Sequence, residues 1–185
     1  MNSGNMSTNN TGTSDRRMLT GMFRDRDSAE RAYNTLSTRG YTHEDVDVVM
    51  SDEARKRHFG DGTVETELGN KTMEGAGTGS AIGGTLGAIV GAVAAIGTSL
   101  LIPGLGIVVA GPLAAALAGA GAGGITGGLI GGLVGHGIPE ERAKVYEDGV
   151  KNGHIVMAVR PRNEDDATYL QNEWRTNAKG ESVDY

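Results

Sequence analysis

Apolar and polar positions divide the chain into two mixed segments with one apolar segment between them. In residues 17–51 and again in 138–178, short apolar runs alternate with polar stretches. Residues 75–139 contain no Asp, Glu, Lys or Arg at all. A helix on the surface of a soluble domain normally keeps a polar face. The pattern therefore predicts two folded halves separated by a segment that packs on all sides.

The first half has the pattern of a β-α-β unit. A strand is predicted over residues 18–23 (MLTGMF), and a second over 46–50 (VDVVM), which is rich in β-branched residues. Between them, Asp27 predicts a helix N-cap and Gly40 a C-terminal stop. The apolar residues of this helix recur at helical spacing, at Ala29, Ala32, Tyr33 and Leu36. The connection is long enough for two parallel strands.

The second half has the pattern α-β-α. Pro139, followed by two acidic residues, suits the first turn of a helix. A third strand is predicted over 154–159 (HIVMAV), and Asn163 or Glu164 begins a last helix. Neither half can bury a core alone. Together they predict an α+β fold, a small ferredoxin-like domain with a three-stranded sheet, interrupted by the apolar segment.

The predicted organisation has six parts. They are a disordered polar tail over 1–16, the first half of the α/β domain over 17–51, a charged connector over 52–74, a glycine-zipper helical hairpin over 75–137, the second half of the domain over 138–178, and a frayed tail over 179–185.

Glycine spacing is the main feature of the apolar segment, which holds 21 of the 31 glycines. Residues i and i+4 share one face of a helix, so a row of glycines at this spacing forms a groove without side chains, in which a second helix can approach closely. Pro103 and Gly104 predict the hairpin turn. We expect helix packing and oligomerisation to use Gly79, Gly83, Gly87, Gly91, Gly119, Gly123, Gly127, Gly131 and Gly135, with a second row at Gly124, Gly128 and Gly132.

The lengths of the two predicted helices favour a membrane location. Helices over 77–102 and 113–135 would be about 39 Å and 35 Å long, whereas a bilayer core is about 30 Å thick. Lys71, Arg142 and Lys144 flank the hairpin, so both termini are expected in the cytoplasm, at the inner membrane. The alternative is a cytoplasmic homo-oligomer or filament in which the hairpin forms the dry core.

Composition argues against several other functions. The net charge of -6 does not suit a general nucleic-acid binder, and the chain has no cysteine. The four histidines lack the spacing of metal ligands, and no catalytic constellation or cofactor motif is found, since the GxGxxG match at 119–124 follows no strand. The sequence predicts no enzyme, metal or cofactor. A third reading is a ligand-binding ferredoxin-like dimer, with a polar cleft around His43 or His154.

Two stretches resemble bacterial general stress proteins. Residues 18–52, from MLTGMF to VVMSD, are similar to the N-terminal module of such proteins of the YflT type. Residues 102–133 and the segment GIPEERAKVYEDGVKNGHIVMAV, of which GIPEERAKVYEDGVKNG is the most specific part, resemble the larger members that carry a glycine-zipper insertion and are described as low-temperature-induced or membrane stress proteins. The resemblance covers about 18–160.

This resemblance implies a stress-response protein without enzymatic activity, and it supplies no catalytic residues. Combined with the glycine spacing, it predicts a non-enzymatic bacterial protein that is membrane-associated through the hairpin and assembles with itself. The expected partners are further copies of the chain and a lipid bilayer. No nucleic acid is expected, and no other protein partner can be named.

Overall fold

The computed structural model of the chain describes residues 17–59, 99–102, 105–119 and 128–185. These residues form six strands and six helices, and the predicted α+β class is confirmed. In chain order the elements are β1 (Leu19–Phe23), α1 (Arg26–Thr38), β2 (Val46–Ser51), α2 (Asp52–Phe59), β3 (Ser99–Ile102), β4 (Ile107–Ala110), α3 (Pro112–Gly119), α4 (Gly128–Gly135), α5 (Glu140–Lys151), β5 (Ile155–Val159), α6 (Glu164–Thr176) and β6 (Glu181–Asp184).

Capping residues determine where helices α1 and α6 begin. Helix α1 starts after Asp25, whose carboxylate accepts a hydrogen bond of 2.7 Å from the backbone N–H of Ser28. The predicted cap at Asp27 is wrong, because the chain is already helical there and Asp27 lies in the first turn. Asn163 caps α6 in the same way, as its side chain accepts from the N–H of Asp166 at 2.7 Å. Both caps satisfy backbone donors that a helix start leaves open.

The six strands form one antiparallel sheet in the order β3-β4-β2-β5-β1-β6. Strand β5 lies between β1 and β2 and pairs antiparallel with both. Strands β1 and β2 therefore run in the same direction without being neighbours, which is a split β-α-β arrangement. The three predicted strands are all present as β1, β2 and β5. The predicted three-stranded sheet is too small, since β3, β4 and β6 extend it on both sides.

Helices cover both faces of the sheet. Helices α1, α2 and α6 pack on one face, against alternate strand residues such as Leu19, Phe23 and Met157. Helices α3, α4 and α5 pack on the other, against Met22 and Val156. Because both faces are buried, the central strands β1 and β5 are buried along their whole length, and their sequences are almost entirely apolar. The glycine-rich segment thus supplies part of one layer of the fold.

The first correction concerns the predicted helical hairpin over 75–137. Ser99–Ile102 and Ile107–Ala110, assigned to the end of one helix and to the turn, are strands that pair with each other. Strand β4 also pairs with β2, from Val48 opposite Ala110 to Ser51 opposite Ile107. The run IVVA has three β-branched residues in four, which suits a strand that is buried in a sheet. SLLI has only one, so its own sequence favours a strand less and its pairing with β4 decides the structure.

The second correction concerns the continuous helix predicted over 113–135. In one helix, Leu117 and Gly132 would be about 22 Å apart. Instead, a Cβ on Gly132 would lie 2.7 Å from Cδ2 of Leu117, so α3 and α4 pack against each other as separate helices. Helix α4 begins at Gly128, whose φ is +62°. This value lies outside the right-handed helical region, so a continuous helix cannot pass through Gly128. Residues 77–98 of the helix predicted over 77–102 lie outside the described residues, as do Pro103 and Gly104.

The third correction concerns the membrane. Among the described residues, no helix combines the length and the hydropathy that a membrane span requires. Helices α3 and α4 have eight residues each, about 12 Å, against a bilayer core of about 30 Å. This finding contradicts the predicted transmembrane hairpin and the predicted inner-membrane location. The absence of charge predicts contact with lipid, but Leu113 and Leu117 of α3 and Leu133 of α4 are instead buried against the sheet.

The fourth correction concerns the predicted frayed tail over 179–185, where Glu181–Asp184 forms strand β6 beside β1. Val183 is buried in the core. Arg142 of α5 forms an ion pair with Asp184, and the hydroxyl of Tyr146 donates to the carbonyl of Ser182 at 2.8 Å. These contacts order a polar segment whose own sequence carries little strand signal.

Candidate functional site

Helices α3 and α4 enclose an apolar cavity on the outer side of their layer. Its volume is about 200 Å³. The residues that line it come from both helices and from the turn after α4, and they are Leu113, Ala116, Leu117, Gly131, Gly132, Gly135 and His136. Three of these positions are glycines, so one wall of the cavity is mainly backbone.

The two helices are held by their inward residues. Leu113, Ala114 and Leu117 of α3 and Leu129 and Leu133 of α4 are buried against the sheet. These apolar residues recur at helical spacing, which turns the opposite side of each helix outward.

The glycines of α4 differ in what surrounds them. Gly132 faces α3, where Leu117 occupies the space that a side chain would need. Gly131 and Gly135 are exposed, and no described atom lies within 4 Å of a Cβ built on either. On α4, close packing is therefore made by Gly132, in the second glycine row, whereas Gly131 and Gly135 of the first row face outward.

Two exposed apolar side chains lie on α4 or beside its start. Val134 lies on α4 between Gly131 and Gly135 and is 42% exposed. Leu105, 41% exposed, lies beside the start of α4, since a Cβ on Gly128 would be 3.6 Å from its Cδ1. We call the surface formed by Leu105, Gly131, Val134 and Gly135 the glycine face. None of its four residues carries a charge.

A buried carboxylate links this layer to the sheet. Asp47 of β2 is 3% exposed, and its Oδ1 accepts a hydrogen bond of 2.6 Å from the N–H of Leu113, in the first turn of α3. Its Oδ2 lies 3.2 Å from Nε2 of His136, a buried nitrogen that makes no hydrogen bond there. A carboxylate at a helix N-terminus is favoured by the helix dipole and by the open N–H groups. Asp47 therefore anchors α3 and faces the residue after α4.

The predicted packing residues are only partly brought together. Gly131 and Gly135 lie one turn apart on α4, and Gly119 is the last residue of α3. The remaining predicted positions, Gly79, Gly83, Gly87, Gly91, Gly123 and Gly127, lie outside the described residues. Sequence reasoning missed the pairing of Asp47 with α3, because an Asp in a strand gives no signal of burial until its neighbours are known.

The histidines do not converge on one site. His43 is exposed in a short 3-10 turn, His58 lies near the end of α2, and His154 precedes β5. Within the described part of the chain, no group of three or more His, Cys, Asp or Glu side chains is placed to hold a metal ion. The cavity adjoins His136. His43 and His154, around which the sequence suggests a polar cleft, do not line it.

Comparison with protein-family models, with curated proteins and with solved structures finds no match to this chain. The resemblance to bacterial general stress proteins therefore stays a prediction from the sequence.

Proposed function

We propose that this chain is a non-enzymatic protein that assembles with itself through the glycine face. The observation that carries the proposal is the open space at Gly131 and Gly135, beside the exposed side chain of Val134. Positions without side chains let a second backbone approach closely, and Val134 supplies a projection of matching size. Such a surface is complementary to itself.

A two-fold contact between α4 of one copy and α4 of another uses this complementarity. In a contact of this kind, the same patch serves both subunits. Val134 of each copy would cover Gly131 and Gly135 of the other, and Leu105 would extend the apolar contact at the start of the helix. Burial of these apolar groups provides the driving force.

Charge favours this face over the rest of the surface. The chain has a net charge of -6, so two copies repel each other over most orientations. Residues 75–139, which include α3 and α4, carry none of that charge. A contact centred on α4 brings the copies together where their own acidic groups are fewest.

Two finer predictions from the sequence are kept as parts of this proposal. The strand order β2-β5-β1-β6, with α1 and α6 on one face, supports a ferredoxin-like description of the sheet. A role in a bacterial stress response is supported by the resemblance over residues 18–160.

Replacement of Gly131 by Leu tests the assembly. The space at this position is open, and Leu has a higher helix propensity than Gly, so the single chain should keep its fold. Sedimentation velocity over a range of concentrations should show that Gly131→Leu forms smaller species than the wild type does, because it loses the contact through the glycine face. Circular dichroism should give the same spectrum for both.

Ala115→Leu is the matched control, because Ala115 is exposed on α3 and does not line the cavity. This variant adds bulk to the same layer away from the glycine face and should assemble like the wild type. Assembly of Gly131→Leu at the wild-type affinity, or a wild type that stays a single chain at all concentrations, would refute the proposal.

A further inference from the structure

The two edges of the sheet differ in how they are protected. Strand β6 carries Glu181 and Asp184, and its register with β1 is irregular. Ser182 within it has a φ of +48°, which bends the strand away from a regular pleat. Charge and irregularity of this kind prevent a strand edge from pairing with another chain.

Strand β3, at the opposite edge, has neither protection. Its four residues, SLLI, include no charge and no proline. Its register with β4 is regular, from Ser99 opposite Ala110 to Ile102 opposite Ile107. Among the described residues, β4 is the strand that pairs with β3. Every second residue of β3 therefore points its backbone N–H and C=O away from β4, toward a side where no strand is described. Both edge strands have four residues, and therefore length does not distinguish them.

We propose that β3 pairs antiparallel with β3 of a second copy and joins the two six-stranded sheets into one. An antiparallel pair of identical strands has a two-fold axis, so one strand satisfies the backbone groups of the other. A partner for this edge must be extended and must tolerate an uncharged neighbour. A second copy of β3 meets both conditions, since the strand itself carries no acidic residue.

The β3 contact adds to the proposed function and rests on it for the shape of the assembly, since an extended assembly needs both contacts. Strand β3 and the glycine face belong to different elements, and each would make its own two-fold contact. Two such contacts on one chain link copies in a row, unless their axes happen to close a ring. The expected product is an extended assembly in which sheet contacts and helix contacts alternate.

Proline substitution separates the edge contact from the fold. Backbone N–H groups alternate in direction along a strand, so one of Leu100 and Leu101 donates toward β4 and the other toward the open edge. Leu100→Pro and Leu101→Pro should therefore behave differently. The variant at the inward position loses a bond of the sheet and unfolds at a lower temperature. The variant at the outward position keeps the fold, since proline is tolerated at an edge.

Sedimentation velocity on the outward proline variant is the deciding experiment, and it is made with and without Gly131→Leu. The outward variant alone should stop at a dimer held by the glycine face. Gly131→Leu alone should leave the β3 dimer, and the double variant should be a single chain. If the outward proline variant assembles as far as the wild type does, the edge proposal is wrong. If the β3 dimer forms in Gly131→Leu while the outward proline variant is a single chain, the glycine-face proposal is wrong and the edge proposal stands.

Hydrogen exchange on the Gly131→Leu chain distinguishes a second copy from other occupants and does not depend on a proline variant. The backbone amide of β3 that points toward the open edge exchanges only in unpaired chains. Its exchange should therefore be about tenfold slower in a sample with nine-tenths of the chains paired than in a dilute sample. Protection that is the same at all concentrations would mean that the chain's own residues cover β3. Fast exchange at all concentrations would mean that no pairing occurs. Either result overturns the proposal.

Discussion

Gly111 illustrates how one backbone position joins the glycine-rich segment to the sheet. Its φ is +98°, and a Cβ there would overlap the carbonyl oxygen of Val46 and lie 3.0 Å from Cα of Asp47. The residue stands between β4 and α3, so this close approach sets the point where α3 leaves the sheet. Asp47 then accepts the N–H of Leu113 in the first turn of that helix.

We predict that Gly111→Ala destabilises the fold more than Gly137→Ala does. Both glycines have a φ of +98°, so both variants lose about 1–2 kcal/mol through a left-handed alanine. No described atom lies within 4 Å of a Cβ at Gly137, whereas the alanine at Gly111 must also displace β2. The extra cost at Gly111 is expected to be about 1–3 kcal/mol. Urea unfolding measures both free energies, and equal losses would contradict the close approach.

Among the elements, α5 connects β1 to the edge strand β6, because its side chains contact both. The hydroxyl of Tyr146 lies 2.6 Å from Oγ1 of Thr20 and donates to the carbonyl of Ser182 at 2.8 Å. Arg142, one turn earlier on α5, forms an ion pair with Asp184. Burial raises the pKa of Tyr146 to about 12, because the phenolate would lose its hydration in the core.

This pKa predicts a loss of stability at alkaline pH. In the unfolded chain Tyr146 titrates near pH 10, so between about pH 10 and 12 the folded chain holds a proton that the unfolded chain releases. The free energy of unfolding should be unaffected by Tyr146 below this range. It should fall by about 1.4 kcal/mol per pH unit within it.

Tyr146→Phe is the control for this measurement, since it removes the titrating hydroxyl and keeps the ring. The variant should be less stable at neutral pH, because the carbonyl of Ser182 loses its donor. Between pH 10 and 12, denaturant unfolding should show a shallower decline for the variant than for the wild type. Parallel declines would assign the alkaline sensitivity to other groups, such as Tyr41 and Tyr185, whose pKa values burial also raises.

At the scale of the whole molecule, the described part of the glycine-rich segment belongs to the fold. Helices α3 and α4, together with α5, cover one face of the sheet, while α1, α2 and α6 cover the other. Val49 and Val109 belong to the apolar cluster that α3 and α4 help to bury. The exposed glycine face is therefore presented by a rigid layer, which reduces the entropy lost when a second copy binds.

Assembly through this layer predicts a concentration-dependent melting temperature. Association stabilises the folded chain by mass action. The glycine-face contact by itself, which pairs two copies, should contribute roughly 2 °C to the melting temperature for a tenfold rise in concentration. Differential scanning calorimetry should find this shift in the wild type and in Ala115→Leu. It should be smaller in Gly131→Leu, and a shift of the same size in all three would remove the glycine face from the contact.

The sequence by itself determined the elements on either side of the glycine-rich segment. Strands β1, β2 and β5 and helices α1, α5 and α6 have apolar residues at the period of their structure, bounded by caps and glycines, and these signals are local. Glycine spacing also placed Gly131 and Gly135 on one face of a helix, since an interval of four residues is a property of any α-helix.

Only the tertiary structure decided the elements whose partners are distant in the chain. In residues 99–110 every position is uncharged, so no contrast between polar and apolar residues shows a period. These residues form β3 and β4 because β4 pairs with β2. The polar strand β6 is ordered by Arg142 and Tyr146, more than 30 residues away. The burial of Asp47 and the outward direction of Gly131 and Gly135 likewise follow from how α3 and α4 lie on the sheet, and local sequence carries no record of that placement.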